Sequence, residues 1–164
     1  MAICFLPLAP LHHAIVSEIL YAAFSAGDTY AVPESTSPED CLAWWTGPSK
    51  TVFVAVNGDQ VLGTYYIRPN AEGPGSHVCN CGYITDPSAR GRGVATAMLT
   101  HSLEEAVRQG YRAMQYNAVV STNTGAIRLW ERAGFTTLAR VPGAFRHPTE
   151  GYVDTLIMFK SLVD

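Results

Sequence analysis

The sequence contains no apolar run near the roughly twenty residues that a membrane-spanning helix needs, and it opens without a basic segment leading into an apolar core. A membrane span and a secretory leader are therefore not expected, and the chain reads as cytoplasmic. Charge is also scarce. Charged residues make up 15% of the chain and leave a formal net charge of −3, a balance that excludes broad binding to nucleic acid or to an anionic membrane. Only four cysteines occur, Cys4, Cys41, Cys79 and Cys81. No Cys/His pair at finger spacing completes a four-ligand zinc set, so no metal is expected. Cys79 and Cys81 lie two apart in a strand-like run, where both thiols share one face as small buried residues. Repeats, linkers and low-complexity segments are absent as well. With 48% hydrophobic residues over 164 positions, residues 1–164 are expected to form one domain with a substantial core.

What is present alternates between strand and helix patterns. Ala2–Leu8 reads as a first strand, and Pro10 opens a helix to about Ala26, with Val16, Leu20, Ala23 and Phe24 on one stripe and Ile15 and Ile19 beside it. Gly27–Pro33 is a polar-aromatic loop. Ser37-Pro38-Glu39-Asp40 is a helix start, with serine as N-cap and proline at the first helical position, and Leu42, Trp44 and Trp45 follow on that helix. Thr51–Val56 and Gln60–Arg68 flank the hairpin signal Asn57-Gly58-Asp59. His77–Thr85 is the next strand. A helix pattern then reaches about Arg108, its core face marked by Ala95, Leu99, Leu103, Ala106 and Gly110. Ala113–Val119 returns as a strand, a helix follows Asn123, and Thr136–Val141 pairs with Tyr152–Lys160 across a loop at Pro142–Gly151. One α/β domain accounts for this order.

The segment Arg90-Gly91-Arg92-Gly93-Val94-Ala95-Thr96 joins the His77–Thr85 strand to its helix. Gly91 and Gly93 leave the backbone approachable, while the first-turn N–H groups of the helix have no partner within it. Those donors, the positive helix end and the guanidinium groups of Arg90 and Arg92 together favour a di-anion such as a pyrophosphate. A dinucleotide fingerprint fails, because Thr96 stands where a third glycine or alanine belongs and Tyr111–Gln115 offers no acid about twenty residues on. A P-loop fails for want of Gly-Lys-Ser/Thr. A second segment, Asn123-Thr-Gly-Ala126-Ile-Arg-Leu129-Trp130-Glu-Arg-Ala-Gly134-Phe135, is a complete helix: Asn123 is a good N-cap, Ala126, Leu129, Trp130 and Ala133 share a face, and Gly134 suits the left-handed C′ position.

Arg90-x-x-Gly93-x-Ala95 followed by Asn123-x-x-Ala126-x-x-Leu129-Trp130-x-x-x-Gly134-Phe135 resembles, in order and spacing, two motifs of the GCN5-related N-acetyltransferases. The resemblance is strong over residues 78–135 and loose elsewhere. It implies a central twisted mixed sheet of about seven strands flanked by about four helices, splayed around acetyl-CoA. It further implies that Gly91, Arg92, Gly93, Val94, Ala95 and Thr96 hold the pyrophosphate with Arg90. Tyr83, Ile84 and Thr85 would offer main-chain groups to the pantetheine arm, and Asn123 would bond to that arm. A backbone N–H near Gly82–Ile84 would polarise the thioester carbonyl. Homodimers are common in the family, and the edge of the C-terminal strand is the place expected for one.

Within the family, His77-Val-Cys-Asn80-Cys-Gly-Tyr83 and Tyr116-Asn117-Ala-Val-Val-Ser-Thr-Asn123 resemble more closely a subgroup that includes the fungal acetyltransferases of azetidine-2-carboxylate, a proline analogue, and bacterial relatives. This implies that Asn80 and Asn117 face the reacting centre and that the acceptor is a small amino or imino acid. Asparagine has poor strand propensity, and its neutral amide can orient an amine or a carbonyl. Trp130 departs from the family's usual tyrosine, the acid that protonates the leaving thiolate. An indole N–H donates a hydrogen bond but is no useful acid. A positioned acid is worth about 10²–10⁴-fold, while a thiol of pKa about 8.5 already leaves readily, so slower protonation is expected and not a dead enzyme. Tyr116, Tyr65 and Tyr66 are substitutes to weigh, and Asp28, Glu34 and His77 are candidate bases. The expected activity is acetyl transfer to a small amine. A non-catalytic acyl-CoA sensor and a protein N-terminal acetyltransferase are the alternatives.

Overall fold

The computed structural model describes all 164 residues. Seven strands, β1 (Cys4–Pro7), β2 (Thr51–Asn57), β3 (Gln60–Pro69), β4 (Val78–Thr85), β5 (Ala113–Val120), β6 (Thr136–His147) and β7 (Gly151–Ser161), alternate with four α-helices, α1 (His13–Ala26), α2 (Pro38–Trp45), α3 (Val94–Arg108) and α4 (Thr124–Arg132). One mixed sheet results, in the order β1-β2-β3-β4-β5-β7-β6. Consecutive strands β1 to β4 pair antiparallel. The β4–β5 pair is parallel, as a connection through a crossover helix requires, here α3.

Both faces of the sheet are covered, which explains the near-continuous apolar runs in β2 and β3. On one face Met98, Leu99 and Ala106 of α3 pack on Leu62, Tyr65, Ile67, Cys79, Cys81 and Met114. On the other, Val16, Ile19, Leu20 and Phe24 of α1 and Cys41 and Trp45 of α2 pack on Val52, Val54, Tyr66 and Ile84. Cys79 and Cys81 do share a face, buried under α3. No helix is long and apolar enough to cross a membrane.

Several details differ from the sequence expectation. Ile15 lies off the α1 stripe, 36% exposed. The buried face of α3 is Val94, Met98, Leu99, Ser102 and Ala106, rotated from the expected one; Ala95 is exposed because it borders a cleft, and Gly110, expected on the core face, is exposed beyond the helix end. The loop expected at Pro142–Gly151 is only the turn at 148–150. β6 continues to His147 across an irregularity between Val141 and Phe145, where Asp154 of β7 accepts from the Gly143 N–H (3.0 Å) and the Arg140 guanidinium (2.8 Å). The C-terminal strand β7 lies between β5 and β6, so the exposed sheet edge belongs to β6.

Candidate functional site

The parallel pairing of β4 with β5 covers only Val78↔Ala113 and Cys79↔Met114. At the next position the ladder is replaced by a side chain: Asn80 Nδ2 donates to the Gln115 carbonyl at 2.9 Å. Asn80 is 7% exposed, and this bond satisfies a carbonyl that the parting strands would otherwise leave without a ladder partner. Beyond it β5 bulges between Tyr116 and Val119, and the strands diverge around an open cleft of about 740 Å³.

At one end of the cleft stands the Arg90–Thr96 segment. Gly91 (φ 74°) and Gly93 (φ 78°) both take the left-handed conformation that glycine alone adopts without strain. A Cβ built on either would meet no atom within 4 Å, so the space above this backbone is open. Gly93 is the N-cap of α3 and supplies no side-chain bond. The first helical N–H to find a partner is that of Ala97, which donates to the Gly93 carbonyl, and none from Gly91 to Thr96 donates to a protein acceptor. Arg90 and Ala95 line the cleft. Val94 turns its side chain into the core and Thr96 its side chain to solvent, so both can serve a ligand through their N–H groups. The Arg92 side chain reaches Met1 Sδ (2.9 Å) and is not among the side chains lining the cleft, unlike the sequence expectation of two guanidinium groups on one anion. The donor set fits a pyrophosphate.

Along β4, Tyr83 presents its main-chain groups to the cleft, and they are occupied. The Tyr30 hydroxyl accepts from the Tyr83 N–H at 2.9 Å and donates to its carbonyl at 3.1 Å. By strand alternation Thr85 points its N–H and C=O the same way, whereas those of Ile84 are turned toward Thr64 of β3. Ile84 therefore meets the cleft without its main chain. Gly82 has no alternative residue type, since a Cβ there would lie 2.6 Å from the Tyr66 ring and 2.9 Å from the Tyr30 hydroxyl. Burial holds the Tyr30 phenol well above its ordinary pKa, with the neighbouring Tyr66 adding to the effect and the Tyr83 backbone bond opposing it. Tyr30 stays protonated.

Asn123, at the start of α4, lines the cleft and caps the helix by accepting from the Ala126 N–H at 3.4 Å. The other end of α4 closes with Gly134 at φ 92°, its N–H on the Glu131 carbonyl and that of Phe135 on the Trp130 carbonyl, both at 3.0 Å. This is a Schellman arrangement. It fixes Trp130 against Tyr116 (ring centroids 4.6 Å), which stacks in turn on Phe135 (4.6 Å). The Tyr116 hydroxyl is turned away into a buried group with Tyr83 (3.0 Å), itself bonded to Ser102 (2.8 Å). Burial raises the pKa of both phenols. Tyr65 bonds His101 on the α3 side and does not line the cleft. Of the candidate bases, Asp28 lines the cleft, while Glu34 and His77 do not.

Asn117 is exposed on the cleft wall, donating to Asn70 Oδ1 (2.7 Å) and accepting from Gln115 (3.1 Å). Asn80 and Asn117 are thus brought to one side of the sheet, but the Asn80 amide is engaged in holding β5. Around them stand Tyr30, Trp44, Tyr66 and Arg68, none singled out from the sequence for this position except as one among several tyrosines. The local signal is weak: Tyr30 lies in the polar-aromatic loop, Trp44 on the second helix and Arg68 at the end of a strand-like run.

This fold and cleft define an α/β domain with an anion cradle at the end of a parted sheet, and the chain belongs to the acetyltransferase (GNAT) family, whose model matches residues 16–135. It is 38% identical over 137 residues to N-acetyltransferase aca1 of Schizosaccharomyces pombe, covering 81% of this chain and 62% of that one. The chain spans less than two thirds of the length of the curated relatives it matches. A solved GCN5-related N-acetyltransferase from Kribbella flavida is similar over 98% of both chains, with a TM-score of 0.91 and 37% identity. The fold also matches yncA from Salmonella typhimurium, solved with acetyl-CoA, over 100% of this chain and 96% of that one (TM-score 0.85, 21% identity).

Proposed function

We propose that the protein is an acetyl-CoA-dependent N-acetyltransferase acting on the amine of a small molecule of amino- or imino-acid type, by direct attack in a ternary complex. The observation that carries this reading is the row of unpaired N–H groups at Gly91–Thr96, set at the mouth of a cleft between two parted parallel strands. Acetyl-CoA supplies an activated acetyl thioester. The N–H groups of the cradle, with Arg90, bind its pyrophosphate, and the Thr85 main chain and the Asn123 amide border the path of the pantetheine arm. Trp130 and Tyr116 form an apolar wall. Asn80 sets the strand separation, and Asn117 orients the acceptor.

In the reaction the amine nitrogen bonds to the carbonyl carbon, the carbon–sulfur bond breaks, the nitrogen loses a proton and the departing thiolate gains one. Trp130 donates no such proton. The hydroxyl held at this part of the β4 main chain is that of Tyr30. It remains protonated, and its single proton, given to the Tyr83 carbonyl in the free protein, turns to the thioester when acetyl-CoA binds, a role in which one oriented donor is commonly worth about 10²-fold or more. Release of free thiol from acetyl-CoA, followed across amino acids, imino acids, polyamines and peptides, tests the proposal. Turnover with small amino or imino acids is expected. Tight acetyl-CoA binding without turnover of any class would instead favour an acyl-CoA sensor, and turnover of peptides alone an N-terminal acetyltransferase.

A further inference from the structure

The cleft has a second cationic position that the cradle does not explain. Arg68 lines it from β3, in register with Asn80 and on the same face as Tyr66, two residues before it. Its Nε is buried and has no hydrogen-bond partner. No carboxylate lies within ion-pair distance of Arg68; the protein's ion pairs are Arg108–Glu105, Arg140–Asp154 and His147–Glu150. A buried guanidinium N–H left unpaired is costly, and the terminal nitrogens, which are not enclosed and donate to no protein acceptor, are open to a partner from the cleft.

The surroundings add to the positive potential. Lys50 stacks over Trp44 (3.9 Å) and Tyr66 (4.7 Å) and has no carboxylate partner either. Burial first, and then the charge of Arg68, push its pKa down to about 8. Among charged residues lining the cleft, Arg68 and Arg90 face only Asp28. The two arginines cannot serve one anion. From Asn80 to Thr85 the strand advances roughly 17 Å at about 3.4 Å per residue, and Arg90 lies beyond that end. Pantetheine and thioester occupy the stretch between, so the Arg68 end belongs to the acceptor.

We infer that Arg68 is the anchor for a carboxylate on the acceptor, held by the terminal N–H groups of the guanidinium beside Asn80 and Tyr66. This rests on the N-acetyltransferase reading and narrows it to amines bearing an acid group close to the nitrogen. An α-amino or α-imino acid carries its nitrogen two bonds from the carboxylate carbon, so an acid docked at Arg68 leaves the nitrogen beside Asn117 and directed along β4. A planar guanidinium suits a carboxylate because two parallel N–H groups match its two oxygens. Polyamines and lysine side chains offer nothing to this group.

The test compares L-azetidine-2-carboxylate and L-proline with their carboxamides as acceptors for the wild type, Arg68→Met and Arg68→Lys, with thermal melts to confirm folding. The wild type is expected to prefer acid over amide by at least about tenfold in kcat/KM, the minimum for one charge-assisted pair. Arg68→Met should erase that preference through KM of the acid, leave acetyl-CoA affinity unchanged, and be partly rescued by Arg68→Lys. Equal use of acid and amide by the wild type would overturn the anchor while leaving acetyl transfer standing. So would an equal loss for both in Arg68→Met. If no amine turns over, isothermal titration calorimetry with the acid reports binding directly. Binding of the acid by the wild type and not by Arg68→Met supports the anchor and counts against the transferase reading; no binding by either overturns the anchor.

Discussion

Gly93→Ala separates backbone strain from ligand binding, because α3 carries its own control. Gly93 precedes the helix at φ 78° and Gly110 follows it at φ 87°. A Cβ at either would meet no atom within 4 Å. Steric clash therefore contributes to neither substitution, and each carries only the cost of placing an L-residue in the left-handed region, about 1–2 kcal/mol. For a chain of this size that lowers Tm by about 2–8 °C, and the two variants should melt alike. Ligand binding should tell them apart. At Gly93 the new methyl enters the open space over N–H groups that have no protein acceptor. Forcing the pyrophosphate away from one charge-assisted bond costs about 1.5–3 kcal/mol, a loss of about 10- to 150-fold in acetyl-CoA affinity. Gly110 lies at the far end of the helix and should bind as the wild type does. Titration calorimetry with differential scanning fluorimetry measures both quantities. Matching affinities in the two alanine variants, despite matching melts, would refute the placement of the pyrophosphate.

Tyr30→Phe should lower kcat by about 10²-fold while acetyl-CoA affinity stays within a few-fold, since one oriented donor is lost; a change confined to acetyl-CoA affinity in steady-state kinetics would contradict the role given to its hydroxyl. Asn80→Ala removes the partner of a buried carbonyl and should cost about 1–3 kcal/mol of stability together with turnover, whereas Asn117→Ala, on an exposed side chain, should stay within about 0.5 kcal/mol of the wild type in denaturant melts and lose turnover alone. Glu105 accepts hydrogen bonds first from Arg108 and also from Gln109, and these hold its carboxyl below the usual range against the push of burial. A depressed acid stabilises the fold above its unfolded pKa, about 4.3, and loses that contribution as pH falls through the folded value. Glu105→Gln should therefore be less stable by about 1 kcal/mol at pH 7, with the gap closing from about pH 5 downward; a gap independent of pH would exclude this origin.

The two helices that border the cleft were legible because their ends are chemical. Asn123, Gly134 and Gly93 are each set by capping or by positive φ, a property carried by one residue. The hairpin at Asn57–Gln60 was legible for the same reason. The face of α3 was not, because Ala95 is apolar and yet faces the cleft, and periodicity cannot tell a core from a binding surface. Pro142 and Gly143 resemble a loop locally, but Asp154, distant in sequence, holds them in β6. The cradle could be read from residues 90–96 alone. Most of the acceptor side could not: Tyr30, Trp44, Tyr66 and Arg68 come from two elements and a loop, and the unpaired guanidinium of Arg68 depends on everything packed around it. Asn80 illustrates the limit best. Its residue type pointed to the site, while its bond to the Gln115 carbonyl, which substitutes for a missing ladder bond, exists only once β4 and β5 part.

A crystal structure with acetyl-CoA bound tests the central claim most directly. The expected result is a pyrophosphate on the N–H groups of Gly91–Thr96 beside Arg90, with the acetyl group between β4 and β5 next to Tyr83 and open toward Asn117 and Arg68. A pyrophosphate bound elsewhere, or an acetyl group walled off from Asn117 and Arg68, would contradict it.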